Sequence, residues 1–272
     1  MRLLQPTVVF ALVFFSMEGK TESIDLFRED VEVVFPTSCG SSFDPTEYLV
    51  FLHRFITPND LVFDVGANIG KNAQLYLDSG ARVVCFEPQP ECVKVLQERF
   101  QNYPSVAIEP IGLGEQEGKL EMYISSLSPT ISTFSFDYTL HSRFADRGSK
   151  WDKKIMVPIA TLDQMIQKHG LPAYCKIDVE NFELEVLRGL TQPIPLISFE
   201  CNTDQLETSK KCLAYLQMLG YQEFNYGFGE RGYFISPVWL SADELLGTIN
   251  HLMETTDFSA IWGLWGDIYA RR

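Results

Sequence analysis

The feature that most constrains this chain is Asp64-Val65-Gly66-Ala67-Asn68-Ile69-Gly70, which follows the apolar run Leu61-Val62-Phe63 and precedes a helix starting near Lys71. A strand that ends in an acid and turns through two glycines into a helix is a ligand-binding device. Glycine lets backbone approach where a Cβ would clash, and the new helix offers unpaired N–H groups. Spacing narrows the ligand. Gly66 and Gly70 are four apart, so the G-x-G-x-x-G dinucleotide fingerprint fails, and no phosphate-cradling G-x-x-x-x-G-K-[ST] loop is present.

What fits is a cofactor with an adenosine but no pyrophosphate, S-adenosylmethionine best of all. The next strand agrees. Arg82-Val83-Val84-Cys85-Phe86 reads as a buried strand closed by Glu87-Pro88. In a doubly wound sheet the carboxyl ends of the first two strands meet at the ligand crevice, and an acid about 20 residues past the glycines accepts the ribose hydroxyls. The bland alternative for Glu87 is a strand-end acid facing water. A nicotinamide-dependent oxidoreductase is disfavoured by the missing third glycine.

With 272 residues the chain is long enough for one sizeable α/β domain. A net charge of −14 without any basic run argues against a nucleic-acid partner. The six cysteines make no C-x-x-C pair and no zinc spacing, which points to a reducing compartment and small apolar roles for Cys85 and Cys175. No metal site is expected from ligand spacing.

Residues 1–42 read as an N-terminal extension. Leu3 to Phe15 resembles a weak signal peptide interrupted by Pro6 and is too short to span a bilayer. Met17 as the true start, or a hydrophobic strand or anchor, are the other readings. Membrane association is expected only through residues 3–15, and a cytoplasmic location is favoured because the cofactor is held in the cytosol.

Strand and helix patterns alternate through residues 43–272, predicting a single, mostly parallel sheet covered on both faces. Residues 45–56 read as an amphipathic helix, 90–101 as a crossover helix and 106–108 as a third strand. Residues 119–124 and 155–159 read as further strands around Ser125 to Lys154. That stretch lacks periodicity and is expected to lie over the carboxyl edge of the sheet as a substrate-side insertion. Tyr174 to Asp178 resumes the parallel pattern, followed by a helix at 183–190, a strand ending at Glu200, a helix from Asp204 to Leu219 and a last strand near 265–270.

Asp178 and Glu180 fall at a strand end beside the glycine loop, and alternation aims both the same way if the chain stays extended. Either could orient an acceptor or take its proton, with Glu200 a third candidate. Their bland reading is a helix N-terminal cluster. Lys176 lies on that side too, as an acceptor contact or as a neutraliser of the acids. His141 and Arg143 in the insertion are the other candidate acceptor contacts, with a plain surface histidine as the alternative.

These segments, with Ala160-Thr161-Leu162-Asp163, Lys176 to Glu183 and Gly266 to Arg271, resemble the FkbM-type family of S-adenosylmethionine-dependent methyltransferases. The resemblance implies a Rossmann-like sheet of seven strands, the last antiparallel. It also implies methyl transfer to a hydroxyl of a saccharide or secondary metabolite. Asp64, Gly66, Ala67, Asn68 and Gly70 would hold the methionine part, Glu87 with Pro88 the ribose, and Ile111-Gly112 would lie against adenine. Asn181 departs from the family's usual Gly, although Asn tolerates the left-handed region. A binding protein that keeps the cofactor fold without turnover is the alternative. Oligomeric state is not legible.

Overall fold

Near-continuous apolar runs make the centre of the molecule. β1 (Leu61–Val65) and β7 (Tyr174–Ile177) are buried at every residue, as strands covered on both faces must be. The computed structural model describes residues 45–202, 205–229, 232–255 and 265–272. The readings placed on residues 1–42, and on Asp204 as a helix start, lie outside the described residues.

The main sheet has seven strands in the order β3-β2-β1-β7-β8-β10-β9. Its remaining members are β2 (Arg82–Phe86), β3 (Val106–Glu109), β8 (Leu196–Asn202), β9 (Glu223–Phe228) and β10 (Trp265–Arg271). β1 runs parallel to both β2 and β7, whereas β10 is antiparallel to β8 and β9. This is the Rossmann-like order with an antiparallel last strand that the resemblance implies. Register puts Val65 beside Phe86 and Ile177, so three strand tips end side by side.

Helices α1 (Pro45–Leu52), α2 (Lys71–Asp78) and α3 (Pro90–Phe100) precede β3. Proline at the first position suits α3, because its missing N–H would have no partner there. α1 stops at Leu52 rather than Ile56, yet Tyr48, Phe51, Leu52 and Ile56 all enter the core. Among the described residues no helix is long and apolar enough to cross a membrane. Cys85, Cys92, Cys175, Cys201 and Cys212 are buried free thiols.

A second, three-stranded sheet is not anticipated by the sequence reading. β4 (Gly112–Leu113) pairs with β6 (Lys153–Ala160), which also pairs with β5 (Gly118–Ile124). Gly112, which the resemblance sets with Ile111 against adenine, thus opens a short strand. Met122, Ile124, Val157 and Ile159 form this sheet's own small core. The expected structureless stretch at 125–154 instead contains a 3-10 turn at Pro129–Ile131 and two short helices, α4 (Phe136–His141) and α5 (Arg143–Asp146). Ser135 and Ser142 cap those helices through their hydroxyls. Past β6, α6 (Leu162–His169) starts at a Thr161–Gln164 capping box that the periodicity reading overlooks. α7 (Glu183–Arg188), α8 (Leu206–Met218) and α9 (Ala242–Thr255) complete the chain.

Candidate active site

A cavity opens at the adjoining tips of β1, β2 and β7. Its lining includes Gly66, Asn68, Glu87, Pro88, Ile111, Gly112, Asp178 and Glu180. Sequence reasoning names all eight, and the fold brings them together. It missed Gln89 and Met122, which line the same cavity, and it placed Thr130, Ser132 and Phe134 there only as part of the substrate-side insertion. Met122 comes from the second sheet, which no local pattern announces.

Glu87 is 2% exposed. Its Oε2 accepts the N–H of Asn68 and its Oε1 the N–H of Gln89, each at 2.8 Å. Burial lifts this carboxyl to about 7 against the pull of the two N–H donors. The Gln89 side chain adds a further hydrogen bond, and a carboxylate oxygen can accept more than one; Glu87 also borders the cavity. A buried acid at a strand tip bordering such a cavity has the acceptor chemistry that a pair of vicinal hydroxyls needs.

The two glycines differ in what they approach. A Cβ at Gly66, where φ is +85°, would sit 1.8 Å from the Asp178 carbonyl oxygen. Gly66 thus allows β1 and the chain leaving β7 to touch. A Cβ at Gly70, where φ is +80°, would strike Phe100 and Leu96 of α3 instead. Gly70 is a packing residue that lets α2 start against α3, and Ala67 is likewise buried in the core. Asp64 is buried beneath the loop. It accepts the Ala73 N–H in the first turn of α2, and burial raises its carboxyl to about 7. Its Oδ2 has no partner among the described residues.

Asp178 and Glu180 do converge, but not by alternation. β7 ends at Ile177, and Glu180 and Asn181 lie in the left-handed region at φ 56° and 67°. The extended geometry assumed for Glu180 is therefore corrected to a reversal. Asn181, standing in for the usual Gly, does take up that conformation. Thr133 Oγ1 donates to the Glu180 carbonyl, Thr208 donates to Asn181 Oδ1, and Asn181 Nδ2 donates to Ser135. Glu183, 1% exposed, accepts the Val179 N–H. Such strain persists where surroundings over-determine it, commonly at functional sites.

Tyr138 of the insertion, 1% exposed, donates its hydroxyl hydrogen bond to Glu180 Oε2. Burial and the Asp178 charge raise Glu180 to about 8, against that hydrogen bond. Glu200 is also raised, by burial and then by Glu180. It sits within β8, not at its end, because the strand continues to Asn202. One oxygen each of Asp178, Glu180 and Glu200 lies within 4.8 Å of the others. Spacing along the chain does not reveal this cluster, since its members come from a strand end, a reversal and a neighbouring strand.

Lys176 lies beneath the cluster rather than in the cavity. It is 4% exposed and its Nζ meets Asp267 at 2.7 and 2.9 Å and Asp178 at 3.4 Å. Burial pulls its pKa down, but the two carboxylates outweigh that and raise it. It neutralises the acids, as one of its two sequence readings allows. His141 is not brought to the cluster. Its side chain is 69% exposed and pairs with Asp137 one helical turn earlier. Arg143 stacks over Phe144 at 5.0 Å and contributes a favourable field at Glu180.

A family model described as "Methyltransferase FkbM domain" matches residues 64–228. Over 143 residues the chain is 27% identical to the hexuronic acid methyltransferase AglP of Haloferax volcanii, covering 52% of this chain and 54% of that protein. It is 36% identical over 53 residues to ribosomal RNA small subunit methyltransferase A of Thermotoga maritima, covering 20% of this chain and 19% of that one. The chain thus spans about half the length of the first relative, and less of the second. Among solved structures it is similar to a precorrin-6y C5,15-methyltransferase from Geobacter metallireducens, at 10% identity and a TM-score of 0.43, covering 84% of this chain and 87% of that one. It is also similar to an S-adenosylmethionine-dependent O-methyltransferase from Thermotoga maritima, at 10% identity and a TM-score of 0.40, covering 85% and 66%.

Proposed function

Because the chain belongs to the FkbM family of S-adenosylmethionine-dependent methyltransferases, we propose that it methylates a hydroxyl oxygen of a saccharide or secondary metabolite. Bound S-adenosylmethionine supplies an electrophilic methyl group, open to in-line displacement by a nucleophile. Glu87 would hold the ribose as a hydrogen-bond acceptor. The Gly66–Asn68 backbone would face the methionine part, and Ile111 with Gly112 the adenine.

Positioning is the main task in such a transfer, and the acceptor hydroxyl must also lose a proton. One observation carries the proposal: the cavity that contains Glu87 also contains Asp178 and Glu180. A carboxyl lifted to about 8 by burial, as at Glu180, is matched to proton transfer near neutral pH. Asp178 or Glu180 would orient the hydroxyl and the other receive its proton, with Glu200 modulating both through its charge. A saccharide acceptor is favoured by the similarity to a hexuronic acid methyltransferase. Among sugar oxygens, a hydroxyl suits this site better than a carboxylate, which the clustered acids would repel.

The test is incubation of the purified chain with methyl-labelled S-adenosylmethionine and a panel of glycosides, uronic acids and hydroxylated metabolites. The expected product carries a methyl that survives mild alkali, as an ether does, with one S-adenosylhomocysteine released per methyl. An alkali-labile methyl would mean ester formation on a carboxylate. Binding of the cofactor without turnover on any acceptor would favour the non-catalytic alternative.

A further inference from the structure

The antiparallel strand carries an aromatic side chain that the chemistry of methyl transfer does not use. Trp265 begins β10 at the carboxyl edge of the main sheet and is 39% exposed. In register it stands opposite Asn202, and Asp267 opposite Glu200. Cross-strand partners share a face of the sheet, and alternation puts Trp265 on the same face as Asp267. The contacts of Asp267 mark which face that is. Its carboxylate holds Lys176 Nζ and accepts the Ser198 hydroxyl, and Lys176 reaches Asp178. Trp265 is thus the diagonal neighbour of Glu200, one step nearer the edge of the sheet. Diagonal neighbours lie about 7–8 Å apart, within reach of an aromatic side chain.

A second, independent observation concerns how the ring lies. β9 ends at Phe228, and the next residue, Gly229, donates its N–H to the Trp265 carbonyl at 2.9 Å. A Cβ placed on Gly229 would stand 3.3 Å from both Cη2 and Cζ2 of the indole and 3.7 Å from Cε2. Three consecutive ring atoms at such similar distances put that point over the face of the ring, because from the ring's edge the third atom would be farther off. One face of the indole therefore rests on the Gly229 backbone. With the residue still 39% exposed, the other face is open.

A flat apolar face beside hydrogen-bonding acids is the combination that a pyranose needs. Such a ring presents C–H groups on its faces and hydroxyls around its rim, which suit an aromatic face and carboxylate acceptors respectively. We propose that the open face of Trp265 is a stacking platform for a sugar ring of the acceptor, turning its hydroxyls toward Asp178, Glu180 and Glu200. The platform rests on the methyl-transfer reading and narrows it. The acceptor is a saccharide, and the β10 edge of the main sheet shares its recognition with the insertion. Trp265 acts on affinity and acceptor choice, away from the atoms that react.

The probe is a panel of methyl glycopyranosides, titrated into the full chain labelled with 5-fluorotryptophan and saturated with S-adenosylhomocysteine. The chain has four tryptophans, and the Trp265 fluorine signal is the one missing from Trp265→Phe. The expected result is a shift of that signal with at least one glycoside. In turnover of a methylated saccharide, Trp265→Ala and Trp265→Leu should each raise KM at least tenfold with kcat within threefold, and Trp265→Phe should recover most of the loss. Leucine keeps apolar bulk but not the flat face, and S-adenosylhomocysteine affinity within twofold of native shows that each variant is folded. A native KM in Trp265→Leu overturns the platform, and so does a loss of S-adenosylhomocysteine affinity that matches the rise in KM. Flat phenols that move the signal and are methylated, where glycosides do neither, overturn the saccharide assignment. A Trp265 signal unmoved by every glycoside overturns the platform, and methylation of a glycoside by that same chain leaves the methyltransferase reading standing. A glycoside-dependent shift in a chain that transfers no methyl supports the platform and removes the reading it serves.

Discussion

Glu87→Gln separates a binding role from a structural one, because its two consequences have different sizes. In the native chain each carboxylate oxygen accepts one backbone N–H, from Asn68 and from Gln89. A glutamine can match one of them and turns an NH2 toward the other. A buried donor left unsatisfied costs about 1–3 kcal/mol. Against this, burial lifts Glu87 from 4.5 to about 7, so keeping it ionised at pH 8 costs about 3 kcal/mol, and the amide removes that cost. Stability at pH 8 should therefore move by no more than about 2 kcal/mol in either direction. Affinity has no such compensation. Losing one charge-assisted hydrogen bond to a ribose hydroxyl costs about 1.5–3 kcal/mol, a roughly 10- to 150-fold rise in Kd. Urea unfolding and S-adenosylhomocysteine calorimetry at pH 8 read the two quantities on the same samples. A variant with native affinity would refute the adenosine site at these strand tips, however its stability changed.

The glycines should divide in the same two assays. Gly66→Ala meets the Asp178 carbonyl at 1.8 Å and a positive φ, so it should lose about 2–5 kcal/mol and most cofactor affinity together. Gly70→Ala meets only Leu96 and Phe100, so chains that remain folded should bind S-adenosylhomocysteine within about threefold of native; a large affinity loss there would place Gly70 at the ligand. Stability of the cofactor-free chain should fall as pH rises. Asp64, Glu87 and Glu183 are raised to about 7, 7 and 8 by burial, so the folded state holds protons the unfolded state has released. That advantage is complete below about pH 4 and is lost through pH 7–8. Urea midpoints at pH 5.5 and 8 check it, and a higher midpoint at pH 8 would refute it. Tyr138→Phe removes the hydroxyl that positions Glu180; kcat should drop about tenfold with S-adenosylhomocysteine affinity unchanged, and an unchanged kcat would make Tyr138 a packing residue only.

The side of the cavity proposed for the cofactor was legible because main-chain geometry builds it. Leu61 to Val65 and Arg82 to Phe86 must be strands, and the positions after them must reverse, so Gly66 and Glu87 fall at adjacent tips whatever surrounds them. The same reasoning does not reach the packing role of Gly70, since a glycine needed for close approach does not say whether ligand or protein is what comes close. Here Phe100 and Leu96, distant in sequence, decide it. The helix at Leu162–His169 was legible in retrospect, from a capping box and not from periodicity.

The acceptor half was less legible for a specific physical reason. Its carboxylates are aimed by non-local contacts: Thr133 and Tyr138 come from the insertion, and Thr208 comes from α8 to hold Asn181. An alternating pattern predicts direction only while a strand stays extended, and the left-handed pair Glu180 and Asn181 ends that condition within three residues of Ile177. Glu200 then meets that reversal from a neighbouring strand, a meeting fixed by the pairing of β7 with β8. The insertion therefore does more than cover the cavity, because it sets the orientation of Glu180. It follows that exchanging residues 125–154 between relatives should alter turnover as well as acceptor choice. Conservative changes confined to the glycine loop should leave acceptor choice unaltered.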